Sequence, residues 1–143
     1  MIHAVIITHG RFGVEMVKIA ETIAGPVSGI DVVPLDLEDN PASFEAKVRE
    51  ILKDKEDNLL FVADIFGGTP CNTAISLLRH YDAQIVTGLS LGMLLELMMT
   101  ITGRETAKQM ANHLLEVSRQ SSQILNREHF SGDFQAAFGD DEL

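Results

Sequence analysis

The sequence predicts a three-layer α/β fold built on a flavodoxin-like, mostly parallel sheet of four strands plus a possible antiparallel edge strand. Short apolar runs rich in β-branched residues alternate with segments of helical periodicity, which is typical of parallel sheets with right-handed crossovers. The strand candidates are apolar throughout, so we expect helices to cover both faces of the sheet. The 143 residues suffice for one domain with a real core.

The predicted elements follow in order along the chain. Continuous apolar runs predict strands at residues 2–8, 30–35, 58–63 and 84–87. Apolar residues at helical spacing predict helices at residues 12–24, 41–52, 71–79, 93–100 and 105–126. Gly25-Pro26 ends the first helix, and Asn40-Pro41 supplies the N-cap and first-turn proline of the second. We expect residues 1–126 to form the domain and residues 127–143 to be an acidic tail.

The composition excludes several functional classes. A net charge of -10 argues against binding to nucleic acid or to an anionic membrane, and favours a basic protein partner. The single cysteine, Cys71, excludes an internal disulfide and suggests a reducing compartment. No signal peptide is recognised, and no stretch approaches the roughly 18 apolar residues of a membrane span. These features together predict a cytoplasmic protein.

His9 is the first candidate for chemistry. It follows the first strand directly, where open α/β sheets place their sites, and Asp64 ends the third strand in the same way. In the flavodoxin-like order these two strands are neighbours, so the two side chains would face each other across a crevice. A carboxylate that accepts a proton from Nδ1 would fix the imidazole tautomer and leave Nε2 free as a nucleophile.

A glycine turn follows Asp64. Gly67 and Gly68 are conformationally permissive, Thr69 is suited to N-capping, and Pro70 is suited to the first turn of a helix. Such a turn can aim several main-chain N–H groups at an anion, and Thr69 could add a hydroxyl donor. A histidine beside such an anion site is suited to phosphoryl transfer, and it requires no metal and no cofactor.

Each of these residues also has a purely structural interpretation. His9 could cap main-chain groups at a strand end, Asp64 could be a turn residue, and residues 67–70 could be an ordinary helix start. The convergence of all three on one crevice favours the functional interpretation. A metal pair of His3 and His9 is excluded, because six residues of strand separate them by ~20 Å.

Three segments of the chain form a recognisable pattern. The first is Ile6-Ile7-Thr8-His9-Gly10 at the end of the first strand. The second is the run Asp64-Ile65-Phe66-Gly67-Gly68-Thr69-Pro70-Cys71-Asn72, and the third is Gly88 followed by Met93-Leu94-Leu95-Glu96. In these segments the chain resembles the enzyme IIA component of the mannose family of the bacterial phosphoenolpyruvate-dependent sugar phosphotransferase system, and the similarity spans roughly the first 100 residues.

The resemblance implies that His9 is phosphorylated on Nε2, that Asp64 orients it, and that the turn of Gly67, Gly68 and Thr69 lies at the phosphoryl site. It implies a histidine-containing phosphocarrier protein as donor and a histidine of enzyme IIB as acceptor. The membrane IIC and IID subunits would be indirect partners, with the chain peripherally associated with their complex. It further implies a homodimer that exchanges a C-terminal strand.

The chain departs from the family pattern in a few places. Gly92 and Ser90 stand where the family usually has a proline and an asparagine, which affects the rigidity of that loop. Cys71 stands where an aromatic residue is frequent, so the surface that faces the partner could differ. No segment near the C-terminus matches the exchanged strand, so the dimer geometry stays open.

Three other functions compete with the enzyme IIA interpretation. A receiver-type signalling domain would use Asp64 as phosphoacceptor, but it needs an acidic pair after the first strand, where this chain has Thr8-His9-Gly10. A nucleotide or flavin module lacks support, because both the G-x-G-x-x-G fingerprint and a Walker A sequence are missing. A phosphoryl donor subunit for a dihydroxyacetone kinase would share the fold, but that branch lacks the Gly-Gly-Thr-Pro-x-Asn turn.

Overall fold

The computed structural model describes residues 1–55 and 57–130. Strands and helices alternate through most of this part of the chain, which confirms the predicted α/β class. The strands are β1 (His3–His9), β2 (Ile30–Leu35), β3 (Leu59–Ala63) and β4 (Ala83–Thr87). The helices are α1 (Phe12–Ala24), α2 (Pro41–Leu52), α3 (Gly68–Leu77), α4 (Leu91–Thr100), α5 (Ala107–Ser121) and a 3₁₀ helix at Arg127–Phe130.

The four strands form one parallel sheet in the order β2-β1-β3-β4. This is the predicted flavodoxin-like order, in which β1 and β3 are neighbours and Ile7 lies opposite Ala63. Pro34 lies in β2, and an edge strand tolerates a residue without an N–H donor. Within residues 1–55 and 57–130, no antiparallel strand joins this sheet.

Helices cover both faces of the sheet, because successive residues of a strand point to opposite sides. Ala4 and Ile6 of β1 pack in a core with residues of α1, α4 and α5. Val5 and Ile7 pack in a second core with residues of α2 and α3. These two cores make the three layers that the sequence predicted.

The N-cap predicted for α2 is confirmed. Asn40 Oδ1 accepts a hydrogen bond from the Ser43 N–H at 2.8 Å, and Ser43 Oγ accepts one from the Asn40 N–H at 2.9 Å. This reciprocal pair satisfies two donors at the start of the helix. Ser90 caps α4 in a related way, since its Oγ accepts from the Met93 N–H at 3.2 Å. The serine that departs from the family pattern is therefore a working cap.

Several predicted boundaries are wrong. The helix α3 begins at Gly68 instead of residue 71, its N-cap is Gly67, and no side chain caps it, so Thr69 is not the N-cap. The helix α5 ends at Ser121 instead of residue 126, because the apolar residues that follow it do not pack on the described part of the domain: Ile124 is 83% exposed. Of the predicted tail, residues 131–143 lie outside the described residues.

In the part of the chain that the structure describes, no helix has both the length and the apolar character needed to cross a bilayer.

Candidate functional site

His9 is the last residue of β1, at the carboxyl edge of the sheet, and its side chain is 47% exposed. The chain turns sharply after it, because Gly10 adopts a left-handed conformation with φ of 53°. The Gly10 N–H donates to the carbonyl oxygen of Leu35 in β2 at 2.7 Å. The imidazole therefore emerges at the edge of the sheet on a main chain that is anchored to the neighbouring strand.

Asp64 lies directly after β3 and faces His9. Its N–H donates to the Ile7 carbonyl oxygen at 3.3 Å, which keeps it beside β1. Its side chain is only 10% exposed. The carboxylate oxygen Oδ2 lies 2.9 Å from His9 Nδ1 and also accepts the His9 main-chain N–H at 2.8 Å. The structure thus brings together the two residues that the sequence singled out.

This contact determines which ring nitrogen carries the proton. A carboxylate accepts hydrogen bonds and donates none, so the neutral ring places its proton on Nδ1, facing Asp64. The lone pair of the neutral ring is then on Nε2. The second carboxylate oxygen of Asp64, Oδ1, accepts the Ile65 N–H at 2.9 Å, which restrains rotation of the carboxylate.

Gly68 lies against the other side of the ring. A Cβ atom added at this glycine would be 2.9 Å from His9 Cε1 and 3.1 Å from Nε2. Gly67 and Gly68 both have left-handed backbones, with φ of 86° and 77°. Only glycine therefore combines this conformation with so close an approach of the ring.

The helix α3 starts at this same glycine. The first N–H groups of a helix have no acceptor within the helix, and its dipole places partial positive charge at that end. A helix start of this kind is suited to binding an anion. The structure therefore places the start of α3 against the free side of the His9 ring.

Thr69, the third member of the predicted turn, is half-buried on the α2 side of α3. It lines a groove of about 330 Å³ together with Glu45 and Asn72. The structure thus places Gly68 against the ring, whereas Thr69, the next residue, lines the groove against α2.

A cleft of about 610 Å³ opens on the β2 side of His9, and the loop of residues 35–39 forms its far wall. Lys47 Nζ holds this loop through Asp39 Oδ2 at 2.6 Å and Asp36 Oδ2 at 3.2 Å. The hydrogen bond from Lys47 is the main cause that lowers the pKa of Asp39 to about 2. Arg11 also lines this cleft and is exposed.

Sequence reasoning overlooked one feature of the site, the hydroxyl of Thr8. Thr8 is fully buried, and its hydroxyl bonds across the turn that follows His9; the only sequence signal was its place in Thr8-His9-Gly10. Cys71 is 1% exposed, so it does not lie on a surface that a partner could touch, and the expectation of an altered partner surface there is wrong.

Among residues 1–55 and 57–130, no group of three or more His, Cys, Asp or Glu residues is arranged to hold a metal ion. His3 lies at the opposite end of β1, with Nε2 at 2.7 Å from Asp31 Oδ2.

Known proteins resemble this chain in both sequence and fold. Residues 3–115 match the family described as "PTS system fructose IIA component". The PTS system fructose-specific EIIA component of Bacillus subtilis is 31% identical over 127 residues, which cover 87% of this chain and 86% of that protein. The sorbose-specific EIIA component of Lacticaseibacillus casei is 24% identical over 124 residues, covering 85% and 89% of the two chains.

A solved structure agrees with this match. The mannose/sorbose-specific IIA subunit of the phosphotransferase system from Enterococcus faecalis superposes with a TM-score of 0.80 and 27% identity. The similarity covers 87% of this chain and 95% of that one. The chain therefore belongs to the mannose-type family of sugar-specific enzyme IIA components of the phosphotransferase system.

Proposed function

We propose that this chain is a phosphoryl carrier in sugar uptake, with His9 as the phosphorylated residue. It accepts a phosphoryl group from the histidine-containing phosphocarrier protein and passes it to a histidine of enzyme IIB. The observation that carries this proposal is the 2.9 Å contact between His9 Nδ1 and Asp64 Oδ2, with Gly68 against the Nε2 side of the ring. The match to the enzyme IIA family supports the same function.

The chemical step follows from this geometry. The Nε2 lone pair of His9 attacks phosphorus, a new N–P bond forms, and the N–P bond to the donor histidine breaks. The electron pair of that bond returns to the donor ring. The Nδ1 proton stays on His9, and the Asp64 carboxylate stabilises the positive charge that the ring gains during attack.

The phosphoryl group also needs stabilisation of its own charge. We assign this role to the turn of Gly67, Gly68 and Thr69 at the start of α3, where helix-start N–H groups and the helix dipole favour an anion. A loose phosphoryl transition state depends mainly on such positioning and charge stabilisation. The reaction therefore needs no metal and no cofactor.

The surroundings of His9 favour a protein as the donor and the acceptor. Leu37, in the loop beside the cleft, is fully exposed, and Phe66, two residues before Gly68, is 82% exposed. Large apolar side chains exposed beside a reactive group are typical of surfaces that another protein covers. The net charge of -10 favours a basic partner and argues against nucleic acid.

The wider assembly is part of the same proposal. The relatives are named for fructose and sorbose, so we place this chain in a sugar transporter of that general class. Its membrane IIC and IID subunits would be reached through enzyme IIB, with the chain in the cytoplasm at the membrane complex. We also propose a homodimer, which sedimentation of the purified chain tests directly.

The proposal is tested by incubation with phosphoenolpyruvate, enzyme I and the phosphocarrier, followed by intact mass spectrometry. We expect one added phosphoryl group on the wild type, stable to alkali and labile to acid, and none on His9→Ala. His80→Ala is the matched control, because it removes another exposed histidine, and it should be labelled like the wild type. Labelling of His9→Ala would overturn the assignment, and an acyl phosphate on Asp64 would favour a receiver-type function.

A further inference from the structure

We propose that Thr8 is a positioning residue for His9. Its buried hydroxyl holds the turn after β1 and thereby keeps the imidazole between Asp64 and Gly68. This inference rests on the proposed role of His9 as the phosphoryl acceptor. It adds a residue that never meets the phosphoryl group but determines where the acceptor ring lies.

The Thr8 hydroxyl makes two hydrogen bonds, and both partners lie beyond His9 in the chain. Oγ1 donates to the Gly10 carbonyl oxygen at 3.2 Å and accepts from the Gly13 N–H at 3.0 Å. The side chain is fully buried, so water does not compete for these bonds. One hydroxyl has the donor and the acceptor capacity for both.

The bond to Gly13 replaces an ordinary helix cap. Arg11 occupies the N-cap position of α1, and its side chain makes no cap hydrogen bond. Thr8 supplies the acceptor instead, from the end of β1 and for the second residue of the helix. The start of α1 is therefore tied directly to the strand that carries His9.

The methyl group of Thr8 is confined as well. A Cβ atom added at Gly13 would lie 2.9 Å from Thr8 Cγ2 and 3.1 Å from Oγ1. Position 13 therefore requires glycine, because α1 passes directly over the Thr8 side chain. The methyl group lies against Gly13 of α1, and the hydroxyl bonds to Gly10 and Gly13. These contacts together determine the rotamer of Thr8.

The path of the turn after His9 determines where the imidazole ring lies. The His9 main-chain N–H and ring Nδ1 both use Asp64 Oδ2, so a shift of the main chain weakens both contacts together. The ring also has Gly68 at contact distance on its other side. Displacement of a reacting group by about 1 Å can slow a reaction by about 100-fold, so the Thr8 bonds matter for the rate.

The test compares Thr8→Val with Thr8→Ser in the full chain. Valine keeps the shape of threonine and removes both hydrogen bonds, whereas serine keeps the hydroxyl. We expect Thr8→Val to lower kcat for transfer from the phosphocarrier by about 10-fold or more, with KM changed by less than about twofold. Thr8→Ser should recover most of the wild-type kcat. Thr73→Val, at another buried threonine, is the matched control and should transfer like the wild type.

A measurement without phosphoryl transfer separates positioning from general stability. ¹⁵N NMR of the His9 ring reports the tautomer, which should be mainly Nδ1–H in the wild type and in Thr8→Ser. Thr8→Val should show a mixture of tautomers. If Thr8→Val has wild-type kcat and a wild-type ring spectrum, the inference is wrong, even if its Tm falls.

A second variant covers the case in which Thr8→Val does not fold. Gly13→Ala presses on Thr8 Cγ2, so it should also mix the tautomers of His9. The double variant Thr8→Ser/Gly13→Ala lacks the Thr8 methyl group, so it should restore part of the Nδ1–H tautomer of His9. An unchanged ring spectrum in a folded Gly13→Ala protein would overturn the inference. If the wild type accepts no phosphoryl group, the proposed function fails, while the ring spectra still decide the role of Thr8.

Discussion

Asp64 holds His9 twice through a single carboxylate oxygen. Oδ2 accepts the His9 main-chain N–H at 2.8 Å and lies 2.9 Å from ring Nδ1. The other oxygen, Oδ1, accepts the Ile65 N–H at 2.9 Å. The carboxylate therefore couples the path of β1, the turn before α3 and the tautomer of the imidazole. Loss of its charge should affect all three.

The first prediction concerns Asp64→Asn. The amide keeps the shape of the side chain but carries no charge, and its NH₂ group can face Nδ1 and favour the wrong tautomer. We expect phosphoryl transfer to His9 to slow by about 100-fold or more, as expected when an orienting carboxylate is lost. Rapid-quench labelling from the phosphorylated phosphocarrier measures the rate. Transfer at the wild-type rate would contradict the orienting role of Asp64.

Asp31→Asn is the matched control for that experiment. Asp31 also pairs with a histidine, His3, at 2.7 Å, but at the opposite end of β1. The substitution removes the charge of Asp31 and leaves His9 and Asp64 unchanged, so the rate of phosphoryl transfer should stay at the wild-type value. A similar loss in both variants would mean that the charge acts through general stability.

The second prediction separates backbone strain from obstruction of the ring. Gly67 and Gly68 both have positive φ, so alanine at either position should cost about 1–3 kcal/mol of folding stability. Only the Cβ at Gly68 would meet His9, at 2.9 Å from Cε1, whereas a Cβ at Gly67 would meet nothing within 4 Å. We expect both variants to lose Tm, and we expect transfer in Gly68→Ala to be slower than in Gly67→Ala by about 10-fold or more, because the Cβ at Gly68 meets the His9 ring. Equal rates of phosphoryl transfer in the two variants would show that the contact between Gly68 and His9 has no role in the reaction.

The fold was largely predictable because its signals are local. The β-branched apolar runs, the Asn40 cap and the alternation of elements each depend on a few consecutive residues. The start of α3 was not predictable in this way. Threonine and glycine are about equally good N-caps, so the local pattern does not choose between Thr69 and Gly67. Two glycines with positive φ lead into the helix here, and the close approach of the His9 ring requires Gly68.

The end of α5 shows a second limit of local patterns. The apolar stripe continues to Ile124, but a helix is stabilised mainly by what its apolar face packs against. Beyond Ser121 that support ends, and Ile124 is exposed. At the site, the sequence indicated that His9 and Asp64 share an edge of the sheet. The double use of Asp64 Oδ2 depends on the register of β1 and β3, which composition does not reveal.

The third prediction concerns acid stability and the loop beside the cleft. The pKa of Asp39 is lowered from 3.8 to about 2, chiefly by the hydrogen bond from Lys47. A carboxyl group with a lowered pKa in the folded state contributes stability above its unfolded pKa. That contribution is lost as the pH falls from about 4 to about 2. In Lys47→Met, the free energy of unfolding should therefore fall less over this range than in the wild type.

Urea unfolding at several pH values between 2 and 6 measures this difference. Lys18→Met is the control, because Lys18 pairs with an exposed carboxylate, Glu15, at 3.3 Å. An exposed pair of this kind contributes little, so its pH dependence should match that of the wild type. If Lys47→Met and the wild type lose the same stability between pH 4 and pH 2, the Lys47 bond does not lower the Asp39 pKa.

The fourth prediction concerns His3, whose pKa is lowered from 6.5 chiefly by burial, against the opposing effect of Asp31. The unfolded chain then binds a proton at a higher pH than the folded chain does, so acid favours unfolding. The neutral His3 contributes stability above pH 6.5, and this contribution is lost as the pH falls toward the folded pKa. We expect the free energy of unfolding of His3→Gln to vary less than that of the wild type between pH 7.5 and pH 5.

His80→Gln is the comparison, because it removes an exposed histidine and leaves the pair of His3 and Asp31 intact. Phosphoryl transfer should be normal in both variants, because His3 lies at the far end of β1 from the site. The opposite change in stability with pH is also informative. If His3→Gln loses more stability than the wild type as the pH falls, the Asp31 carboxylate outweighs burial, and His3 is held as a cation at that end of the sheet.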